Sequence, residues 1–166
     1  MNTLTEDQLL DVARKLIKAT EYCFFITEGG DHIPHARLMQ PYDPERDFTI
    51  YFGASPRSRK IREIRKQQKV SLAFYNQQET AYLTLQGFSA IVEDVTMRRK
   101  YWRSNWNDLF PGGPESDDYV LIKFVPDKME MMNFAHQAMP QPYSLHPTTL
   151  VRHGDSWSIP ADVLSD

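Results

Sequence analysis

The chain of 166 residues contains one cysteine, Cys23, so no disulfide can form within it, and a reducing, cytoplasmic setting is expected. Cys23 lies in an apolar run with no base nearby and reads as a buried structural thiol rather than a nucleophile. Residues 1–7 hold neither a basic start nor an apolar run, so export is not expected. No stretch approaches the roughly 18 consecutive apolar residues of a membrane helix. The chain has no Walker loop, no G-x-G-x-x-G and no G-x-S-x-G, and so none of the sequence marks of a P-loop, dinucleotide or serine-hydrolase site. His32 and His35 are three apart on an expected strand and should face opposite ways, while His136, His146 and His153 are scattered, so no metal site is expected. Internal repeats, low-complexity tracts and an interdomain linker are also lacking.

What is present suits one domain over residues 1–166, with 41% hydrophobic and 12% aromatic residues. Thr5 followed by Gln8 forms a capping box, and Leu9, Val12, Ala13, Leu16 and Ile17 repeat at helical spacing, which predicts an amphipathic helix over 5–18. Aromatic and β-branched runs predict strands at 22–27, 33–40 and 48–52, the first two forming a hairpin. Ser55-Pro56 predicts a helix start, with the helix running to 68. Strands at 70–75 and 81–92 follow, with Gly87 marking a bulge or a close backbone approach. A helix is predicted over 97–107, with Trp102, Trp106 and Phe110 spaced four apart. Two more strands, 119–125 and 129–134, precede a tail, 135–166, expected to wrap the surface or a partner. Short strands joined by tight turns, with helices inserted singly, predict a mainly β (α+β) fold: an antiparallel barrel with a few peripheral helices.

Charge is concentrated in one place. Residues 57–69 carry Arg57, Arg59, Lys60, Arg62, Arg65, Lys66 and Lys69 against Glu63 alone, a local charge of +6 in a chain whose net charge is −3. This run begins where a strand ends at Phe52, Gly53 permits an unusual turn and a helix starts, so first-turn amides with a partial charge of roughly +0.5 face whatever sits there. Ser58, Arg59 and Lys60 add donors worth roughly 1.5–3 kcal/mol each when charge-assisted. Three or four such contacts about match the estimated 4–15 kcal/mol cost of immobilising a ligand, so a phosphate needs an attached apolar ring to bind well. The bland alternative is a solvated helix face, with Arg59, Arg62, Lys66 and Lys69 as a stripe opposite Ile61 and Ile64.

Four segments, in this order, carry a resemblance: Pro34-His35-Ala36-Arg37-Leu38-Met39; Ile50-Tyr51-Phe52-Gly53 with Ser58-Arg59-Lys60; Val70-Ser71-Leu72-Ala73-Phe74; and Trp106-Asn107-Asp108-Leu109-Phe110-Pro111-Gly112-Gly113-Pro114 leading to Tyr119-Val120-Leu121. Over roughly 22–134 the chain resembles the FMN-binding split-barrel superfamily, in particular the general stress proteins related to pyridoxamine 5'-phosphate oxidase. The resemblance implies an antiparallel split β-barrel and a homodimer with FMN at the interface. It implies Arg37, Ser58, Arg59 and Lys60 on the FMN phosphate, and Leu38, Met39, Phe52 and Gly53 beside the isoalloxazine ring. Trp106 and Phe110 would approach the ring from the other subunit, or else form an aromatic stripe in the core. Tyr42 stands where the oxidases have a substrate-binding lysine, Asn105 where they have an arginine, and their C-terminal Arg-x-His has no counterpart, so oxidation of pyridoxamine phosphate is not implied.

Three functions stay open at this point. The first is a flavin-dependent oxidoreductase acting on an unidentified small molecule, and the second a stress protein that binds, stores or senses FMN without turnover. The third is a small barrel that grips nucleic acid through the basic stripe, against which the sequence pI of about 5.9 counts.

Overall fold

Helix α1 (Glu6–Ala19) forms because its ends are capped and one face is apolar. The Gln8 amide donates to Thr5 Oγ1 at 3.3 Å and the Thr5 amide to Gln8 Oε1 at 2.9 Å. Leu9, Val12, Ala13, Leu16 and Ile17, the five residues singled out by spacing, are all buried. Each large side chain among them contributes about 1.5–3 kcal/mol by burial. The computed structural model describes residues 4–139 and 145–161.

The sheet that α1 packs against is antiparallel throughout. Its strands are β1 (Cys23–Glu28), β2 (Pro34–Met39), β3 (Ile50–Ala54), β4 (Lys69–Asn76), β5 (Ala81–Val92), β6 (Val120–Asn133), β7 (Thr148–His153) and β8 (Ser156–Ser158). They pair in the order β2-β1-β4-β5-β6-β7-β8, with β3 also on β6. Along β6, residues 120–124 pair with β3 and residues 128–131 with β7, so one long strand feeds two separate partners. This is the split barrel expected from the sequence. The main core lies between the inner face of this sheet and α1, with Phe25, Leu72, Leu85 and Phe124 fully buried.

Gly87 behaves as its sequence context suggests. The β5–β6 register shifts between Gln86 and Gly87, and a Cβ at Gly87 would lie 2.2 Å from the Val125 carbonyl oxygen. That same shift corrects the expectation of two strands at 119–125 and 129–134. Gln86 faces Lys128 and Gly87 faces Pro126, so Asp127 is the extra residue and β6 runs through as a single bulged strand. The expected surface tail is also corrected: β7 and β8 add a hairpin to the sheet, bringing Leu150 and Trp157 into the core. Gly154, at φ +62°, makes its turn. Residues 140–144 and 162–166 of the predicted tail lie outside the described residues.

Two helices differ from their sequence reading. Helix α2 (Arg59–Lys66) starts four residues after Ser55, because residues 55–58 form a turn closed by the Ser58 amide on the Ser55 carbonyl. It ends before Lys69, which opens β4 and so leaves the basic stripe. Helix α3 (Val95–Lys100) stops seven residues short, and a 3-10 turn follows at Ser104–Trp106. Tyr101 stacks on Tyr51 at 4.1 Å while Trp106 lies against Gly53, so both rings meet the same face of β3. Five residues apart on one helix they would point about 140° apart, and packing therefore overrides helical continuation.

Candidate functional site

The site is built where β2 passes the start of α2. Along β2 side chains alternate: His35, Arg37 and Met39 turn inward, while Leu38 stands 63% exposed on the opposite face. Arg37 reaches into the sheet. Its Nη1 donates to the Phe25 carbonyl at 3.1 Å and to Thr27 Oγ1 at 2.6 Å, and its Nη2 donates to Glu63 Oε2 at 3.2 Å.

The first turn of α2 is polar and unsatisfied. Ser58 is the N-cap residue, yet its side chain makes no capping bond, and its buried Oγ has no partner among the described residues. An N-cap serine ordinarily accepts from a first-turn amide; here the hydroxyl makes no such bond, and of the first-turn amides that of Ile61 donates to the Ser58 carbonyl at 3.2 Å. Lys60 has no carboxylate within ion-pair distance among the described residues; burial and the charge of Arg37 push its ammonium below the usual lysine value. A half-buried ammonium beside a guanidinium is unfavourable unless an anion joins them.

Glu63, barely exposed, ties the parts together. Its Oε2 accepts from Thr27 Oγ1 at 2.5 Å as well as from Arg37, and its Oε1 lies 2.6 Å from His35 Nδ1 and 3.5 Å from Arg59 Nε. Burial opposes its ionisation, but the Thr27 and His35 hydrogen bonds and the Arg37 charge outweigh it and hold the carboxyl below its ordinary value. The sequence reading passed over this residue. The signal was its place as the sole acid in the basic run, one helical turn after Lys60.

The sequence-named residues do not all share one place. Arg37 lies close enough to Lys60 for its charge to act on that ammonium, and Ser58 is the N-cap of the helix that carries Lys60. Arg59, with its side chain 56% exposed, turns toward Glu63 and a cleft of about 360 Å³ shared with Arg62, Lys66 and the β1–β2 turn. Phe52 is fully buried edge-on against Phe25, so its side chain packs in the core and does not face a ligand. Gly53 has no positive φ and pairs with Leu121, which corrects the expected turn. It is small because a Cβ would sit 2.3 Å from the Trp106 ring of the same chain. Trp106 is buried in an aromatic lobe with Tyr42, Tyr101, Trp102, Phe110 and Tyr119, so its observed contacts are those of the core stripe. Burial pushes the Cys23 thiol up to about 12, against a weaker opposing backbone hydrogen bond, so it stays protonated.

The outer face of the sheet is apolar and open. Leu38 pairs across from Phe24, Phe24 from Ala73 and Tyr75 from Tyr82, and Phe24, Leu38, Tyr75, Tyr82 and Phe88 are all exposed. A cleft of about 790 Å³ at its end is lined by Ile26, Ser71, Gln86, Phe88 and Lys128 among others. Among the described residues, no helix is long and apolar enough to cross a membrane.

Comparison with known proteins follows the same lines. A model of the family described as pyridoxamine 5'-phosphate oxidase like matches residues 8–146. The chain belongs to that family. General stress protein 26 from Bacillus anthracis is 25% identical, with a TM-score of 0.64, over 75% of this chain and 93% of that one. A pyridoxamine 5'-phosphate oxidase-related, FMN-binding protein from Nostoc punctiforme shares the fold at a TM-score of 0.70 and 11% identity, over 95% and 97% of the two chains. PhzG from Burkholderia lata, solved with tetrahydrophenazine-1-carboxylic acid, does so at 0.70 and 16%, over 92% and 89%. No curated protein sequence matches this chain.

Proposed function

We propose that this pyridoxamine phosphate oxidase-like chain binds FMN as a homodimer and acts as a flavin-dependent oxidoreductase on a small molecule. The observation that carries the reading is the buried Ser58 hydroxyl without a partner, at a helix start that also presents Lys60 and faces Arg37. This donor set suits a phosphate monoester: one hydroxyl, one ammonium, part of a guanidinium and first-turn amides. A dianion there removes the Arg37–Lys60 repulsion and satisfies Ser58.

FMN, when bound, supplies hydride or electron transfer, and no protein nucleophile is needed. In this reading Arg37, Ser58 and Lys60 hold the phosphate and Arg59 strengthens the local positive field. The backbones of Leu38, Met39, Phe52 and Gly53 border the ring, and Trp106 stiffens β3 from behind Gly53. The open apolar face around Phe24, Leu38 and Tyr75 supports a second copy of the chain as its cover, and hence a ring site between subunits. The FMN-binding relative from Nostoc punctiforme supports the choice of cofactor.

Flavin extraction from purified protein, followed by fluorescence titration with FMN and riboflavin, tests the reading. FMN is expected to bind at least tenfold tighter than riboflavin, and light scattering to give twice the mass of one chain. Equal affinity for the two flavins would remove the phosphate anchor.

A further inference from the structure

Arg37 has five N–H donors, and three of them are already used inside the protein: two on the Phe25 carbonyl and Thr27, one on Glu63. Two remain for a ligand, and where they point depends on what holds the other three. The Phe25 carbonyl and the Thr27 hydroxyl both come from β1 and both hold Nη1. The hold on Nη2 comes from α2, through Glu63. Thr27 links the two grips, since its hydroxyl accepts from Arg37 and donates to the same Glu63 oxygen at 2.5 Å. The other Glu63 oxygen is held by His35 and Arg59, so the carboxylate is itself fixed on both sides. Glu63 lies on the helix that presents Ser58 and Lys60, so its grip sets the angle of the guanidinium relative to those two donors.

We propose that Glu63 is a positioning residue for Arg37, fixing the two free guanidinium donors in register with Ser58 and Lys60 for a phosphate monoester. The inference rests on the FMN reading. What Arg37 needs from position 63 is an accepting oxygen at the right reach. The carboxylate charge does not provide the positioning, and on its own it repels a phosphate. The two contributions therefore separate by substitution.

The test is fluorescence titration of the full-length protein and its variants with FMN and with riboflavin. Glu63→Leu, which removes the acceptor, is expected to weaken FMN binding about tenfold, comparable to freeing one long side chain, while leaving riboflavin affinity unchanged. Glu63→Gln keeps an accepting oxygen and should bring FMN affinity back to within about threefold of the parent. If Glu63→Leu does not fold, Glu63→Met carries the test: it keeps the length of the side chain without the carboxylate acceptor and should weaken FMN severalfold with riboflavin again unchanged. Unchanged or tighter FMN binding in Glu63→Leu overturns the proposal, because Glu63 then merely competes for Arg37. A parallel loss of both flavins also overturns it, by showing only a structural role. A parent protein that does not prefer FMN to riboflavin sinks the cofactor reading itself, whereas a parent preference that survives in the variants sinks the Glu63 proposal alone.

Discussion

The start of α2 and the aromatic lobe behind β3 lie at the same end of the same strand, and they treat their polar groups in opposite ways. In the lobe most polar groups are spent, the buried Arg98 Nε and Arg103 Nε being the exceptions among the described residues. The Tyr42 and Tyr119 hydroxyls both donate to the Tyr101 carbonyl, Tyr101 donates to Glu45 at 2.5 Å, and the Arg103 guanidinium lies 4.3 Å over Tyr42 while donating to the Pro41 carbonyl. At the helix start a serine hydroxyl is buried without a partner, and a half-buried lysine ammonium has no carboxylate within ion-pair distance among the described residues. The first arrangement stabilises the fold. The second costs stability, and such a cost is what a ligand site leaves for its ligand to repay.

The largest effect that would break this contrast belongs to the lobe. Trp106→Ala removes a buried ring that touches Tyr42, Trp102, Phe110, Tyr119 and Gly53, and should cost about 3–5 kcal/mol in chemical denaturation. If this variant is as stable as the parent, the lobe is not what braces β3. Next comes Lys60→Met, expected to lose about 1.5–3 kcal/mol of FMN binding, roughly ten- to a hundredfold, in equilibrium titration. The same variant without flavin should be no less stable than the parent, because burial and the neighbouring Arg37 charge disfavour that ammonium in the fold; a marked fall in stability would show a structural partner for Lys60.

Ser58→Ala is the finer probe. It should weaken FMN by about 0.5–1.5 kcal/mol, as for a neutral hydrogen bond, and leave thermal unfolding unchanged because no capping bond is lost. The smallest effect is on acid stability. Glu63 in the folded protein ionises below its ordinary value of 4.5, so its contribution is complete above that value and disappears as pH falls through the lower one. Urea unfolding at pH 6 and pH 3 should therefore show the parent losing more stability than Glu63→Gln on acidification; equal losses would mean that the carboxylate gains nothing from its pairs.

Most of the architecture was legible locally. The capping box at Thr5, the apolar spacing of α1, the β1–β2 and β4–β5 hairpins and the bulge at Gly87 each rest on a few neighbouring residues, and each appears where its signal lies. The hairpin of β7 and β8 was missed although its marks are present: Thr148 and Thr149 before an apolar pair, then Gly154-Asp155 and Trp157. The candidate site was legible as a composition, seven basic residues around a helix start, and the joint use of Arg37, Ser58 and Lys60 is an expectation drawn from the family pattern.

What the amino-acid order determined by itself was the set of strands, the capped first helix and the placing of positive charge where a strand hands over to a helix. Tertiary structure alone decided that α2 begins at Ser58 without using its hydroxyl, that α3 breaks so that Tyr101 and Trp106 can both lie on β3, and that Glu63 turns inward to hold Arg37. The reason is range. Caps, turns and periodicity act over four or five residues, whereas these outcomes depend on partners 18 to 64 positions away, brought close only when the sheet assembles.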